Sequence, residues 1–203
     1  MKRRLLALVS LWPTLSVQAA PPGADPNWPC QQIKVPELSI AAIWNGPPVD
    51  SYRTTWEQDS TVAELAHRLA QRRMPLDQAE AEIKSFAENA GTEKQSRLLT
   101  LFAALFDVLS RERDSIMAGL DRFGTRQKEL AADIRSENEK LQELQSQGGH
   151  HQAEVEALTE RLNWDLQVFQ NRRESLSYAC NAPTLVEQRL FALARSIEGL
   201  LHS

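Results

Sequence analysis

The fold is decided by residues 99–144, which read LTLFAALFDVLSRERDSIMAGLDRFGTRQKELAADIRSENEKLQEL. A seven-residue repeat runs through this stretch without a skipped residue, and eleven of its fourteen a and d positions are apolar. The a positions are Leu99, Phe106, Arg113, Leu120, Gln127, Ile134 and Leu141, and the d positions are Phe102, Leu109, Ile116, Phe123, Leu130, Glu137 and Leu144. Such a repeat keeps one apolar stripe against a partner helix along a left-handed supercoil. The sequence therefore predicts an all-α fold built on a long coiled-coil helix.

The partner helix is predicted to come from the same chain. Thr92 and Gln95 have the spacing of a capping box, so we expect the long helix to begin there and to end at Gln147. The pair Gly148-Gly149 then breaks the pattern, and a second amphipathic pattern continues to Cys180. The prediction is an antiparallel helical hairpin.

A turn centred on the glycine pair fixes which residues face each other. It places Glu137 opposite Arg161, Gln127 opposite Phe169 and Leu130 opposite Leu166. Polar residues inside such a seam commonly fix the register of the two helices. We therefore interpret Glu137 and Gln127 as register residues rather than catalytic ones.

Shorter helices are predicted to surround the start of the long helix, which is apolar on more than one face and so must be covered. They are expected at about 62–73, capped by Thr61 with Glu64, and from Pro75 or Leu76 to Asn89, with Gly91 as the left-handed stop. Pro183 is expected to end or kink the return arm, and a last helix to follow from Thr184. The predicted organisation is a helical-bundle base (59–115 with 181–203) and a coiled-coil arm (116–180).

Residues 20–58 differ from the rest in composition. Seven of the ten prolines lie between Pro21 and Pro48, which predicts an extended strap with little regular structure. Trp28, Trp44 and Trp56 are expected to anchor the strap in grooves of the helical body. The alternative is an aromatic patch that binds a partner.

Residues 1–19 have the pattern of a signal peptide. Three basic residues precede an apolar stretch, and Val17-Gln18-Ala19 suits cleavage after Ala19. No cysteine follows closely enough for lipidation, so we expect a soluble, exported and most simply periplasmic chain. The most apolar run after that point, 98–109, is too short for a transmembrane segment.

The net charge of the chain limits the kinds of partner that it is expected to bind. Removal of residues 1–19 leaves 20 Lys and Arg against 27 Asp and Glu, a net charge of −7, with the basic residues interleaved among acids. Nucleic acid is therefore not expected as a partner.

Cys30 and Cys180 are the only cysteines and are predicted to form one disulfide in an oxidising compartment. The alternative, a redox or metal pair, lacks the usual close spacing.

No catalytic or cofactor motif stands out. Glu64 and His67 have the Glu-x-x-His spacing of di-iron bundles, but no second such motif occurs. His150 with Glu154 has spacing for a shared metal ion, but lacks a third ligand. We therefore predict no cofactor and no metal, and favour a protein without enzymatic activity.

The sequence leaves three hypotheses for function. The first is an exported interaction or scaffold protein of the cell envelope, which binds another envelope protein or itself. Its contact is expected on the arm's exposed surface or at the hairpin tip, formed by Gln147, Gly148, Gly149, His150, His151 and Gln152. The second is a holdase-type periplasmic chaperone with helical arms. The third is a ligand-binding or enzymatic helical bundle with a pocket between strap and base.

Overall fold

The computed structural model describes residues 25–148 and 151–202. Within them the fold is all-α, as predicted, and contains no strand. The helices, in chain order, are α1 (Ile40–Ile43), α2 (Asp50–Arg53), α3 (Ser60–Ala70), α4 (Leu76–Asn89), α5 (Lys94–Ser146) and α6 (Gln152–Leu201). Two 3-10 helices, Trp56–Gln58 and Gly91–Glu93, precede α3 and α5. The predicted signal peptide, 1–19, lies outside the described residues.

Helix α5 is the long helix that the repeat predicts. Its 53 residues span about 80 Å at 1.5 Å per residue. Every a and d position from Leu99 to Leu144 is buried or half-buried, and none is exposed. The predicted cap is wrong, because Thr92 lies in the preceding 3-10 helix and Glu93 holds the N-cap position without a side-chain bond.

Helix α6 packs along α5 and does not end at Pro183, which corrects the prediction of a separate last helix. Pro183 has no amide hydrogen to donate to the carbonyl of Ala179, one turn earlier. Its ring is buried, and it falls on the inward stripe of a repeat that continues through Leu176 and Leu190. The side-chain amide of Gln32 donates to the next carbonyl, that of Cys180. Helix α6 therefore continues through Pro183 with the proline ring buried and with a side-chain donor from the strap on a neighbouring carbonyl.

The predicted contact of Leu130 with Leu166 is also not supported. Leu166 is 39% exposed, because the inward stripe of α6 passes through Leu162, half-buried Asp165 and Phe169. Leu166 is one position beyond Asp165 and therefore lies at the edge of the seam.

Helices α3 and α4 form where expected, with different ends. The N-cap of α3 is Asp59, whose carboxylate accepts the Val62 amide at 3.1 Å, so the predicted cap at Thr61 is wrong. An aspartate suits this position because it satisfies an otherwise unpaired amide at the positive end of the helix. Helix α4 ends at Asn89 as predicted, and Gly91 has a positive φ of 54°.

The core lies where α3, α4 and the C-terminal part of α6 pack around the first turns of α5. Its fully buried side chains include Leu69, Ile83, Leu98, Phe102, Leu105, Leu190, Leu193 and Ile197. This packing covers the apolar start of α5, as predicted. The division into base and arm at 115 and 181 stays a prediction.

The strap is more regular than its prolines predict, since α1, α2 and the first 3-10 helix all lie within it. Trp44 and Trp56 are buried, which confirms their packing role. The Trp44 ring stacks on Phe102 with centroids 3.9 Å apart, and Trp56 Nε1 donates to Asp107 at 3.1 Å. Arg53 also pairs with Asp107 at 2.7 Å. The strap thus neutralises an acid within the most apolar part of α5.

The predicted disulfide joins Cys30 to Cys180, with Cα atoms 5.6 Å apart. It fixes the first described part of the strap to α6, on the turn before Pro183. The alternative of a redox or metal pair is therefore not supported.

Candidate interaction surfaces

The predicted hairpin tip is only partly described. Gln147 follows the last turn of α5, and its side-chain amide donates to the Glu143 carboxylate at 3.3 Å. Gly148 has a φ of 80°, which allows the chain to leave the helix. Gly149 and His150 lie outside the described residues.

On the other side of the tip, His151 precedes α6 and Gln152 begins it. His151 Nδ1 is 3.6 Å from Glu154, whose other oxygen pairs with Lys140 at 3.1 Å. Glu154 therefore links His151, at the tip, to Lys140 of α5.

The two polar pairs predicted for the seam of the arm are present. Glu137 accepts from Arg161 Nε at 2.8 Å, and Gln127 donates to the carbonyl of Phe169 at 3.0 Å. Both pairs agree with a turn at the glycine pair. Because these pairs hold one face of α6 against α5, the other face of α6 points away from α5.

That outer face carries an unexpected stripe of exposed apolar side chains. Trp164 is 65% exposed, Tyr178 is 83% exposed and Leu185 is 48% exposed. They are 14 and 7 residues apart, so they share one helical face. We call these three residues the outer stripe. With Leu162 at position a, the outer stripe occupies position c, which normally faces water in a two-helix coiled coil.

The surroundings of Trp164 are shallow and mixed in charge. A depression of about 460 Å³ lies beside the indole and is lined by Ala157, Glu160, Arg161, Asn163, Trp164 and Gln167. Arg161 is committed to Glu137 and lies 3.9 Å from Asp165. The indole is therefore the main apolar feature of an otherwise polar face.

The strap lies against the same helix near Tyr178. A groove of about 330 Å³ runs between 29–32 of the strap and 173–181 of α6. Further along, Lys34 binds Asp25 at 2.6 Å and Asp121 at 2.7 Å. Its ammonium also lies 5.5 Å from the Trp28 ring centroid. The hydrogen bond to Asp121 and, to a smaller extent, the one to Asp25 raise the pKa of Lys34. The hydrogen bond from Lys34 in turn lowers the pKa of Asp25.

The residues considered for metal chemistry do not form a site in the described part of the chain. There, no three His, Cys, Asp or Glu side chains group as metal ligands would. Glu64 and His67 are both exposed on α3, and the His67 ring lies edge-on to Trp56 at 6.3 Å. The partner that the structure gives His67 is thus an aromatic ring.

None of the described helices combines the length and apolar character that a membrane span needs. Comparison with protein families, curated proteins and solved structures finds no match to this chain. The inference of function therefore rests on the surfaces above.

Analysis of the seven-residue repeat predicts the seam but does not identify the outer stripe. Its signal is present in the sequence, since Trp164, Tyr178 and Leu185 each lie two positions after an inward residue, namely Leu162, Leu176 and Pro183. Helix α6 therefore carries two apolar stripes, and α5 covers only the inward one.

Proposed function

We propose that this protein is an exported interaction or scaffold protein of the cell envelope, and that the outer stripe binds a helix of another envelope protein. The observation that carries the proposal is the exposure of Trp164 and Tyr178 on one face of α6. Large aromatic residues dominate the energetics of protein interfaces and are unusual at a coiled-coil position that faces water.

The spacing of the outer stripe favours a helical partner. Trp164 and Leu185 are 21 residues apart, about 32 Å along the helix. A helix that packs at a shallow angle can follow a seven-residue stripe over such a distance. The partner would add a third helix to the arm, with apolar residues repeating every three and four positions.

The disulfide supports an oxidising compartment, where such bonds persist. Together with the basic and apolar start of the sequence, it favours export to the periplasm. Self-association through the same stripe is the competing form of this proposal.

The experiment compares a double variant with a matched control. Trp164→Ala with Tyr178→Ala removes the exposed rings, whereas Phe191→Ala removes another exposed ring from a different face of α6. Partners are cross-linked in a periplasmic extract, identified, and titrated against the purified chains. The proposal predicts at least tenfold weaker binding of the identified partner by the double variant and unchanged binding by the control.

Equal binding by all three chains would contradict the role of the outer stripe. A third variant, Gln147→Ala with Gln152→Ala, tests the tip in the same titration. Loss of binding in that variant alone would move the contact to the tip.

The exposed rings of Trp164 and Tyr178 are also compatible with the chaperone hypothesis, since they offer apolar surface to unfolded chains. Light scattering gives the mass in solution, and suppression of aggregation of an unfolded outer-membrane protein gives the activity. A monomer without such suppression would eliminate a clamp-like holdase. The net charge of −7 expected after removal of residues 1–19 weighs against this function, because holding chaperones of this shape are often basic.

A further inference from the structure

A second surface lies where the connection between α3 and α4 meets α6, and it adjoins the outer stripe at Leu185. It is a cleft of about 390 Å³ lined by Arg72, Met74, Pro75, Leu76, Leu185, Gln188 and Arg189. Leu76 and Leu185 are 42% and 48% exposed at its rim. The cleft therefore offers apolar surface beside two arginines.

Arg189 is the unusual member of this lining, because it is only 7% exposed. Its Nε donates to the carbonyl of Leu69 at 2.7 Å, and its Nη1 donates to the carbonyl of Met74 at 2.9 Å. Nη2 is buried and has no hydrogen-bond partner among the described residues. Carbonyls accept hydrogen bonds but do not neutralise the charge, and a buried cation without an anion is costly.

Glu112, the acid whose charge acts on Arg189, forms no ion pair with it. Glu112 lies 3.6 Å from Arg72, and it reaches Arg189 only as a distant charge. Burial lowers the pKa of Arg189, and the field of Glu112 opposes this shift. A carboxylate in the cleft would supply both the missing acceptor and the missing negative charge.

We propose that this cleft binds a segment of a partner polypeptide in which an Asp or Glu side chain adjoins an apolar one. The carboxylate would accept from Arg189 Nη2, and the apolar side chain would pack between Leu76 and Leu185. Nη2 is closed to water, so one lining side chain has to move as the segment binds. The half-exposed rim favours a polypeptide that continues past the cleft, because an isolated small molecule would stay largely in water.

The test uses a heptapeptide display library selected on the processed chain. Leu185 belongs to both the cleft and the outer stripe, so the cleft is probed through Leu76. Leu76→Asp places a negative charge at the rim, in the first turn of α4, where an acid suits the helix. Leu76→Asn is the uncharged control of similar size, and Trp164→Ala with Tyr178→Ala leaves the cleft intact.

The proposal predicts selected peptides that carry an acid beside an apolar residue. Fluorescence anisotropy should show at least tenfold weaker binding when that acid is replaced by its amide. Leu76→Asp should weaken binding more than Leu76→Asn, and the Trp164 and Tyr178 variant should bind like the parent chain. Arg189→Lys, which keeps the charge but lacks Nη2, should also weaken binding if circular dichroism shows it folded.

Failure to enrich any peptide, or enrichment of peptides that bind Leu76→Asp as well as the parent, would overturn the proposal. Peptides lost only in the Trp164 and Tyr178 variant would assign binding to the outer stripe and equally overturn the cleft. The titration of the envelope partner is independent of both outcomes.

Discussion

At the scale of single residues, two glycines of α5 have opposite roles. A Cβ at Gly124 would lie 1.9 Å from the backbone oxygen of Asn27, because the strap crosses the helix there. A Cβ at Gly119 would meet only the flexible end of Arg122 at 3.9 Å. The crossing of the strap therefore requires a glycine at position 124 and not at position 119.

Gly124→Ala should therefore destabilise the protein by about 1 to 3 kcal/mol, the usual cost of overpacking against backbone. Gly119→Ala should stabilise it by up to about 1 kcal/mol through helix propensity. Urea unfolding of the two variants measures both changes. An equal gain in stability from both substitutions would show that the strap does not cross at Gly124.

The ion cluster of Lys34 should make attachment of the strap depend on pH. The lowered pKa of Asp25 means that its contribution is present above the ordinary pKa of about 3.9 and is lost as the pH falls below it. The raised pKa of Lys34 means that its contribution is present below about 10.4 and is lost as the pH rises further. The strap should thus be held most firmly between these limits.

The measurement is the ¹⁵N shift of the Trp28 indole, whose N–H donates to the Gln32 carbonyl at 2.7 Å. Its acid transition should lie at lower pH in the parent chain than in Lys34→Met, where Asp25 loses its cation. A transition at the same pH in both chains would refute the coupling.

At the scale of elements, the sequence predicts what local periodicity determines. The repeat of α5 and the glycine turn together predict the pairs Glu137–Arg161 and Gln127–Phe169, because register follows from where the chain reverses. The continuation of α6 through Pro183 is not predictable in this way, since it depends on burial of the ring and on Gln32, 148 residues away from Cys180.

The path of the strap is likewise set by contacts without a period. Arg113 is an a-position residue, only 2% exposed, and its guanidinium joins three segments. It bonds Glu187 of α6 at 2.5 Å and the carbonyl of Val35 in the strap at 2.6 Å. The repeat marks Arg113 as a polar exception in the seam, but nothing local in the sequence identifies its partners.

Arg113→Met should cost about 2 to 3 kcal/mol, because it leaves Glu187 and strap carbonyls without a donor. The estimate is at the lower end for a buried pair, since the Glu187 side chain is one-third exposed. Urea unfolding monitored by circular dichroism gives the value. A change below about 0.5 kcal/mol, the size expected of an exposed pair, would contradict this role.

Glu137→Leu should have the opposite effect, a gain of about 1 kcal/mol. Glu137 is mostly buried in the seam, its Oε2 has no partner among the described residues, and its partner Arg161 is largely exposed. An apolar residue there removes an unsatisfied atom but also a determinant of register. Destabilisation in the same unfolding assay would show that the ion pair contributes more than the seam packing it displaces.

At the scale of the whole molecule, the disulfide closes a loop with a sequence separation of 150. The loss of chain entropy in the unfolded state gives an upper limit of about 5 kcal/mol for its contribution. Cys30→Ser with Cys180→Ser should lower the stability by a few kcal/mol and leave the helix content nearly unchanged, because the hairpin is packed independently of this bond. Loss of helical circular dichroism at low temperature would contradict this division of roles.

The central claim is that two long helices fold back on each other as a rod and do not collapse into a globule. Small-angle X-ray scattering of residues 20–203 in monodisperse solution tests it most directly. A rod of this kind should have a maximum dimension of at least about 80 Å, the length of α5, and a radius of gyration well above the roughly 16 Å of a compact domain of this length. A radius of gyration near 16 Å, with a maximum dimension well short of that helix, would contradict it.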